Sequence, residues 1–150
     1  MQGQFRVVFF IGIFAVVALG CSNQDNAQPA TETAVKQTPA AIQHWNVEQV
    51  YELIQKDTNL VLIDVRTPAE YIGELGHIQG AELRPLQEIE NWVQEIESLK
   101  QSDRKIVLIC RSGNRSRVAA EFLQKNGFRH LINMVGGMRA WNQKGYPVEK

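Results

Sequence analysis

Apolar residues recur along the chain in two different rhythms. Val47, Val50, Leu53 and Ile54 follow helical spacing behind a capping-box pair, Asn46 and Gln49, and predict a helix ending near residues 56–59. Leu60-Val61-Leu62-Ile63 is a short continuous apolar run, the pattern of a strand covered on both faces. Thr67-Pro68-Ala69-Glu70 opens another helix, with Thr as N-cap and Pro in the first turn. Leu86, Ile89, Val93, Ile96 and Leu99 form one stripe and predict a single helix over about residues 86–100. Ile106-Val107-Leu108-Ile109 repeats the buried-strand pattern. The helix after it is expected to bury Val118, Ala119, Phe122 and Leu123, with Gly127 as its stop. Residues 131–135 read as a third strand, and Gly136-Gly137 leads into a helix around residues 138–144. This alternation implies an α/β fold with a largely parallel central sheet and helices on both faces.

The N-terminal part follows neither rhythm. Residues 7–19 are thirteen positions, all apolar except Gly12, and Arg6 is the only charged residue among the first twenty. A helix needs about 20 residues to cross a bilayer core, so the run has the length of a signal-peptide core. It ends at Ala18-Leu19-Gly20-Cys21, which resembles the bacterial lipoprotein signal, in which the Cys becomes the lipid-bearing first residue. An ordinary secretory signal and an uncleaved anchor are the alternatives. Residues 22–41 are rich in Ala, Gln, Thr, Asn and Pro and contain no aromatic residue. Such a segment buries too little surface to offset its ordering entropy. As a flexible coil it would reach about 25 Å. The expected organisation is a signal peptide over 1–20, lipidated Cys21 and a tether over 21–41, and one domain over 42–150. The protein is then expected to be exported, in the periplasm or cell envelope, and held to a membrane only through lipid on Cys21.

Composition narrows the function. The chain of 150 residues has Lys+Arg 16 against Asp+Glu 16; losing Arg6 with the leader leaves 15 against 16, a formal charge of −1. Nucleic-acid affinity needs a basic excess, and none is present. Two cysteines exclude both a disulfide scaffold and a four-cysteine zinc site. His44 and His130 have no metal-ligand spacing, so no metal site is expected. Trp92 and Trp141 fall at helical positions and are expected in the core.

The chemistry concentrates after the second strand, in Cys110-Arg111-Ser112-Gly113-Asn114-Arg115-Ser116. Ligand sites of open parallel sheets lie beyond the carboxyl ends of strands, where Cys110 falls. Backbone N–H groups of a tight turn and a helix N-terminus favour an anion there, and Arg111 and Arg115 add positive charge. Those donors favour the ionised thiol and should lower its pKa. Cys110 is therefore expected as an ionised nucleophile in an exposed bowl. With Cys21 consumed by lipid, it would be the only thiol of an exported protein, an oxidation liability unless it is used. Asp64 and Arg66 at the end of the first buried strand suggest an ion pair that braces a loop, with Glu70 placed to pair with Arg66. His77 is assigned a turn-stabilising role rather than that of a general base, and Arg84 either extends a positive entrance or lies on a solvated surface.

At these residues the chain resembles a single-domain rhodanese, over roughly residues 44–149. The similarity rests on Leu62-Ile63-Asp64-Val65-Arg66, on Gly76-His77-Ile78-Gln79-Gly80-Ala81, on the loop from Cys110 to Ser116, and on Gly136-Gly137-Met138-Arg139-Ala140-Trp141 followed by Gly145-Tyr146-Pro147. The resemblance implies a sulfurtransferase: Cys110 takes the outer sulfur of thiosulfate as a persulfide and yields it to cyanide or a thiol. It implies no metal and no organic cofactor. Arg111 and Arg115 would bind the anionic donor, and Ser112, Gly113, Asn114 and Ser116 would complete the loop around the sulfur. Four residues separate Tyr71 from Gly76, more than the family pattern has, and this bears on the choice of acceptor. Two other activities remain open. A Cys-based phosphatase of the same fold needs a longer loop with Arg where Ser116 stands; a non-catalytic or persulfide-delivering module would bind a partner instead. Arg111 does not fit the loop of enzymes that use mercaptopyruvate, so thiosulfate is the expected donor.

Overall fold

The computed structural model describes residues 41–150. The signal peptide expected over 1–20 and the lipidated Cys21 and tether lie outside the described residues, apart from Ala41. The buried strands form where the apolar runs predict them, as β2 (Leu60–Asp64), β4 (Lys105–Ile109) and β5 (Leu131–Met134). Two short strands extend the sheet, β1 (Gln43–Trp45) and β3 (Glu82–Leu83). All pairings are parallel, in the order β1-β5-β4-β2-β3. β1 and β3 are three and two residues long and largely exposed, so neither carries an apolar run to announce it.

Alternate residues of the strands feed two cores. Ile106, Leu108 and Cys110 pack on one face with α3 (Ile89–Glu95) and α4 (Asn114–Lys125), through Ile89, Trp92, Val93, Ala119, Ala120 and Leu123. Val107 and Ile109 pack on the other with α1 (Val47–Lys56) and α5 (Gly137–Gln143), through Val47, Val50, Met138 and Trp141. The sheet is thus covered on both faces, as its unbroken apolar strands require. Trp92 and Trp141 are both in the core.

Local signals set the helix starts. Asn46 and Gln49 close a reciprocal capping box on α1, and Thr67 and Glu70 close another on α2 (Pro68–Tyr71). Two expectations need correction. The stripe from Leu86 to Leu99 does not form one helix: 3-10 turns at Leu86–Glu88 and Glu97–Gln101 flank α3. The stripe advances by three, four, three and three residues, and the outer steps of three match the tighter 3-10 turn, which has 3.0 residues per turn. Val118 is 46% exposed, and Ala120 takes the buried place on α4 that the sequence reading gave to it.

The chain leaves β2 for the edge strand β3 and then returns to the other side of β2 to form β4. The direction of winding therefore reverses between β2 and β4, which opens a crevice at their carboxyl ends. Asp64-Val65-Arg66 ends one wall and Ile109-Cys110 the other, joined by Val65 N–H donating to Ile109 O at 2.9 Å.

Candidate active site

Cys110 is the first residue after β4, and α4 begins four residues later. Gly113 occupies the N-cap position of α4 in the left-handed region, φ 96°, and brings no side-chain oxygen to the helix start. The first-turn amides are thus left for another acceptor. That acceptor is the sulfur. Gly113 N–H donates to Cys110 Sγ at 3.1 Å, Ser116 Oγ lies 3.3 Å from it, and the amides of Ser112 and Ser116 also act on it.

A second element orients these amides. At the start of α5, Met138 N–H donates to Cys110 O at 2.9 Å, and Arg139 N–H donates to Arg111 O at 3.0 Å. In a trans peptide the C=O and N–H point opposite ways. Drawing the two carbonyls toward α5 therefore turns the Arg111 and Ser112 N–H groups to the other side of the loop. The close approach depends on Gly137 at φ 56°, where a Cβ would stand 2.6 Å from Arg111 C and Ser112 N. The Gly136-Gly137 pair lets one backbone lie against the other.

Burial opposes ionisation of the thiol and is the largest single influence on it. The Ser116 hydroxyl and the amides of Ser116, Ser112 and Gly113 together outweigh burial and hold Cys110 below the ordinary thiol pKa. The expectation of an exposed bowl does not hold: Cys110 is 1% exposed. The strand alternation turns its side chain toward the α4 core, and the loop amides close over it. Arg111 and Ser112 are exposed outside it.

The charged residues divide. Arg115 donates to both carboxylate oxygens of Glu70, at 2.8 and 2.6 Å. This contact is the main reason the Glu70 carboxyl drops to about 2, and it holds the Arg115 pKa above its ordinary value. Arg115 thus comes to the sulfur with its charge paired. Arg111 is exposed, and its side chain makes no hydrogen bond or ion pair among the described residues. A cavity of about 210 Å³ beside the loop is lined by Arg66, Glu70, Glu74, Leu75 and Arg111. Asn114 is exposed at the first position of α4, and Ser116 is fully buried.

Arg66 does not pair with the Glu70 carboxylate as expected. Its buried guanidinium is held by Asp64 in three contacts of 2.6–2.9 Å, and it also donates to the carbonyls of Glu70 and Gly76. Arg66 ties the end of β2 to the loop before β3, which leaves the Glu70 carboxylate to Arg115. His77 stacks on Tyr71 with ring centroids 3.7 Å apart, and its Nδ1 lies 3.3 Å from Tyr71 O. These contacts are those of a turn-stabilising residue. Arg84 is occupied by Glu82 and Glu95.

Asn133 escaped the sequence reading. It is 3% exposed in β5, its Oδ1 2.7 Å from Ser116 Oγ and its Nδ2 3.2 Å from His44 Nδ1. A polar residue inside the apolar run 131–135 was the available signal.

Comparison with known proteins agrees with this architecture. Residues 46–144 match the family model of the rhodanese-like domain. A thiosulfate sulfurtransferase of Pseudoalteromonas translucida is 34% identical over 67% of this chain and 90% of its own length. A Bacillus subtilis relative, 38% identical over 70% of this chain, is longer, and the chain spans 54% of it. The crystal structure of a rhodanese-related protein from Thermoplasma volcanium superposes with a TM-score of 0.59 at 31% identity, over 70% of this chain and 95% of that one. With a parallel sheet, a cysteine at the end of its central strand and a family match over most of the described residues, the chain belongs to the rhodanese-like domain family.

Proposed function

We propose that the protein is a sulfurtransferase that takes the sulfane sulfur of thiosulfate onto Cys110 and passes it to a thiophilic acceptor, a thiol or cyanide. The observation that carries this reading is the placement of Cys110 Sγ at the start of α4, with the Gly113 N–H donating to it at 3.1 Å and the Ser116 hydroxyl 3.3 Å away. The Cys110 thiolate attacks the outer sulfur of thiosulfate. The S–S bond of the donor breaks, its electron pair leaves with sulfite, and Cys110 holds a persulfide. The acceptor then attacks the outer sulfur, and the bonding pair returns to Sγ as thiolate. The donors at Ser112, Gly113 and Ser116 favour the anionic thiolate with which the cycle begins and ends.

Arg111 is the residue we assign to the donor's charged oxygens, being exposed beside the loop. Asn114 and Arg115 shape the first turn of α4, and Arg115 adds its field through the Glu70 pair. A second reading draws on the burial of Cys110: a persulfide so enclosed suits a module that delivers sulfur to one docked protein. Phosphate chemistry has less support, because Arg115 is held by Glu70 and Ser116 stands where a phosphate-binding Arg would be needed.

Intact mass after thiosulfate treatment tests the proposal. The protein should gain one sulfur, and Cys110→Ser should abolish the gain. Absence of the gain with every sulfur donor, together with loss of partner binding by loop variants, would favour a non-catalytic binding module. Aryl-phosphate release abolished by Cys110→Ala would establish a phosphatase. We also propose export and anchoring through Cys21, supported by the apolar run 7–19 ahead of it. Cys21→Ser should then move the protein from the membrane fraction to the soluble fraction.

A further inference from the structure

Ser116 has one hydroxyl hydrogen and two acceptors in reach. Its Oγ lies 3.3 Å from Cys110 Sγ and 2.7 Å from Asn133 Oδ1, and one hydrogen cannot serve both. Asn133 continues the contact outward to His44 Nδ1 at 3.2 Å. Asn133 and His44 are register partners on β5 and β1, so the sheet itself fixes their separation. Ser116 and Asn133 are buried, whereas His44 lies exposed on the edge strand. A continuous hydrogen-bond chain thus runs from the reactive sulfur to the open edge of the sheet.

The chain can run in two directions. In one, Ser116 O–H donates to Asn133 Oδ1, and Asn133 Nδ2–H donates to the lone pair on His44 Nδ1. The sulfur then receives nothing from the Ser116 hydroxyl, which favours the protonated thiol. In the other, a half-turn of the Asn133 amide exchanges Oδ1 and Nδ2 while the other side chains keep their places. His44 Nδ1–H now donates to Oδ1, Nδ2–H donates to Ser116 Oγ, and Ser116 O–H is left for Sγ. This direction adds the hydroxyl to the loop amides and favours the thiolate. The two states differ in the thiol proton, which is exchanged with water, and in which nitrogen of His44 carries hydrogen; no proton travels along the chain.

We propose that Asn133 and His44 are positioning residues for the reactive sulfur, the hydrogen-bond chain from β1 setting the direction of the Ser116 hydroxyl and so the capacity of Cys110 to hold negative charge. Its part in sulfur transfer rests on the function proposed above; its effect on the thiol does not. Arg115, paired with Glu70, is a charged side chain whose field reaches Cys110, and neither belongs to the hydrogen-bond chain. A buried asparagine satisfied by its two neighbours would show the same distances without this coupling, so the test must read the sulfur.

The readout is the pH profile of alkylation at Cys110 in the full-length protein, followed by mass spectrometry of the peptide that contains it, so that Cys21 does not interfere. His44→Leu removes the outer donor and should slow alkylation near neutral pH about threefold, the scale of one weakened hydrogen bond. His44→Gln, which keeps a donor and an acceptor, should restore the rate. In a Ser116→Ala background the chain is cut, and His44→Leu should have no further effect. An unchanged profile in His44→Leu would overturn the proposal. So would an equal slowing with and without Ser116, which would show that His44 acts through space or through the fold. Coupling without persulfide formation would leave the positioning role standing while the transfer reading fell. Persulfide formation without coupling would do the reverse.

Discussion

Replacing Gly137 by alanine tests whether α5 shapes the sulfur cradle. The new Cβ would stand 2.6 Å from Arg111 C and Ser112 N and against Cys110 O, well inside van der Waals contact. The neighbours are backbone atoms of the loop, so no flexible side chain can yield. The left-handed conformation at φ 56° adds about 1 kcal/mol for any residue with a Cβ. Overpacking adds about 1–3 kcal/mol, for a total loss of about 2–4 kcal/mol. A domain of this size should melt lower by about 10–20 °C. Separation of the loop from α5 would also strain the bonds from Met138 and Arg139 that orient the loop amides, so the Cys110 thiol pKa should rise. Gly145→Ala supplies the control. Gly145 also has a positive φ, 69°, but nothing lies within 4 Å of its added Cβ, so only the conformational cost of about 1 kcal/mol applies. Thermal melting and Cys110 alkylation profiles of the two variants give the answer. Equal destabilisation, with the thiol unmoved in both, would refute the reasoning.

Further outcomes follow from the ion pairs. Glu70 has its carboxyl lowered from 4.5 to about 2 by Arg115, so its stabilisation is complete above pH 4.5 and fades as pH falls through about 2. Full conversion would give about 3 kcal/mol; the pair is partly in water, so about 1–2 kcal/mol is expected. Glu70→Gln should show that loss at pH 7 by urea unfolding and approach the parent protein's stability near pH 2. Asp64→Asn leaves a fully buried guanidinium without its countercharge and should cost about 3–5 kcal/mol in the same assay. A loss below about 1 kcal/mol would contradict the bracing role.

The central strands, the helix caps and the cysteine loop were legible because each rests on local chemistry. Leu60-Val61-Leu62-Ile63 can only be a strand covered on both sides once helices flank it, and Asn46 with Gln49 carries its own capping partner. The stripe 86–99 was legible as a buried face, but the choice between α and 3-10 turns depends on how the stripe lies against the sheet. Proximity in sequence favours Arg66 as the partner of the Glu70 carboxylate, but the fold assigns it elsewhere. Asp64 takes that guanidinium first, and α4 delivers Arg115 across 45 positions to the carboxylate. The burial of Cys110 could not be read from the loop alone. It depends on Gly137 bringing α5 against the loop and on the sulfur's phase in the β4 alternation, and these meet only in the folded chain. Asn133 and His44 are likewise joined by strand register, which no linear spacing expresses.

Sulfur transfer at Cys110 depends on donors overcoming burial at one sulfur. The measurement that tests this most directly is the pH midpoint of Cys110 alkylation in the unmodified chain, resolved on its own peptide. A midpoint clearly below the value of about 8.5 for an ordinary free cysteine is predicted. A midpoint at or above that value would mean that desolvation prevails, and the amide cradle would lose its chemical role.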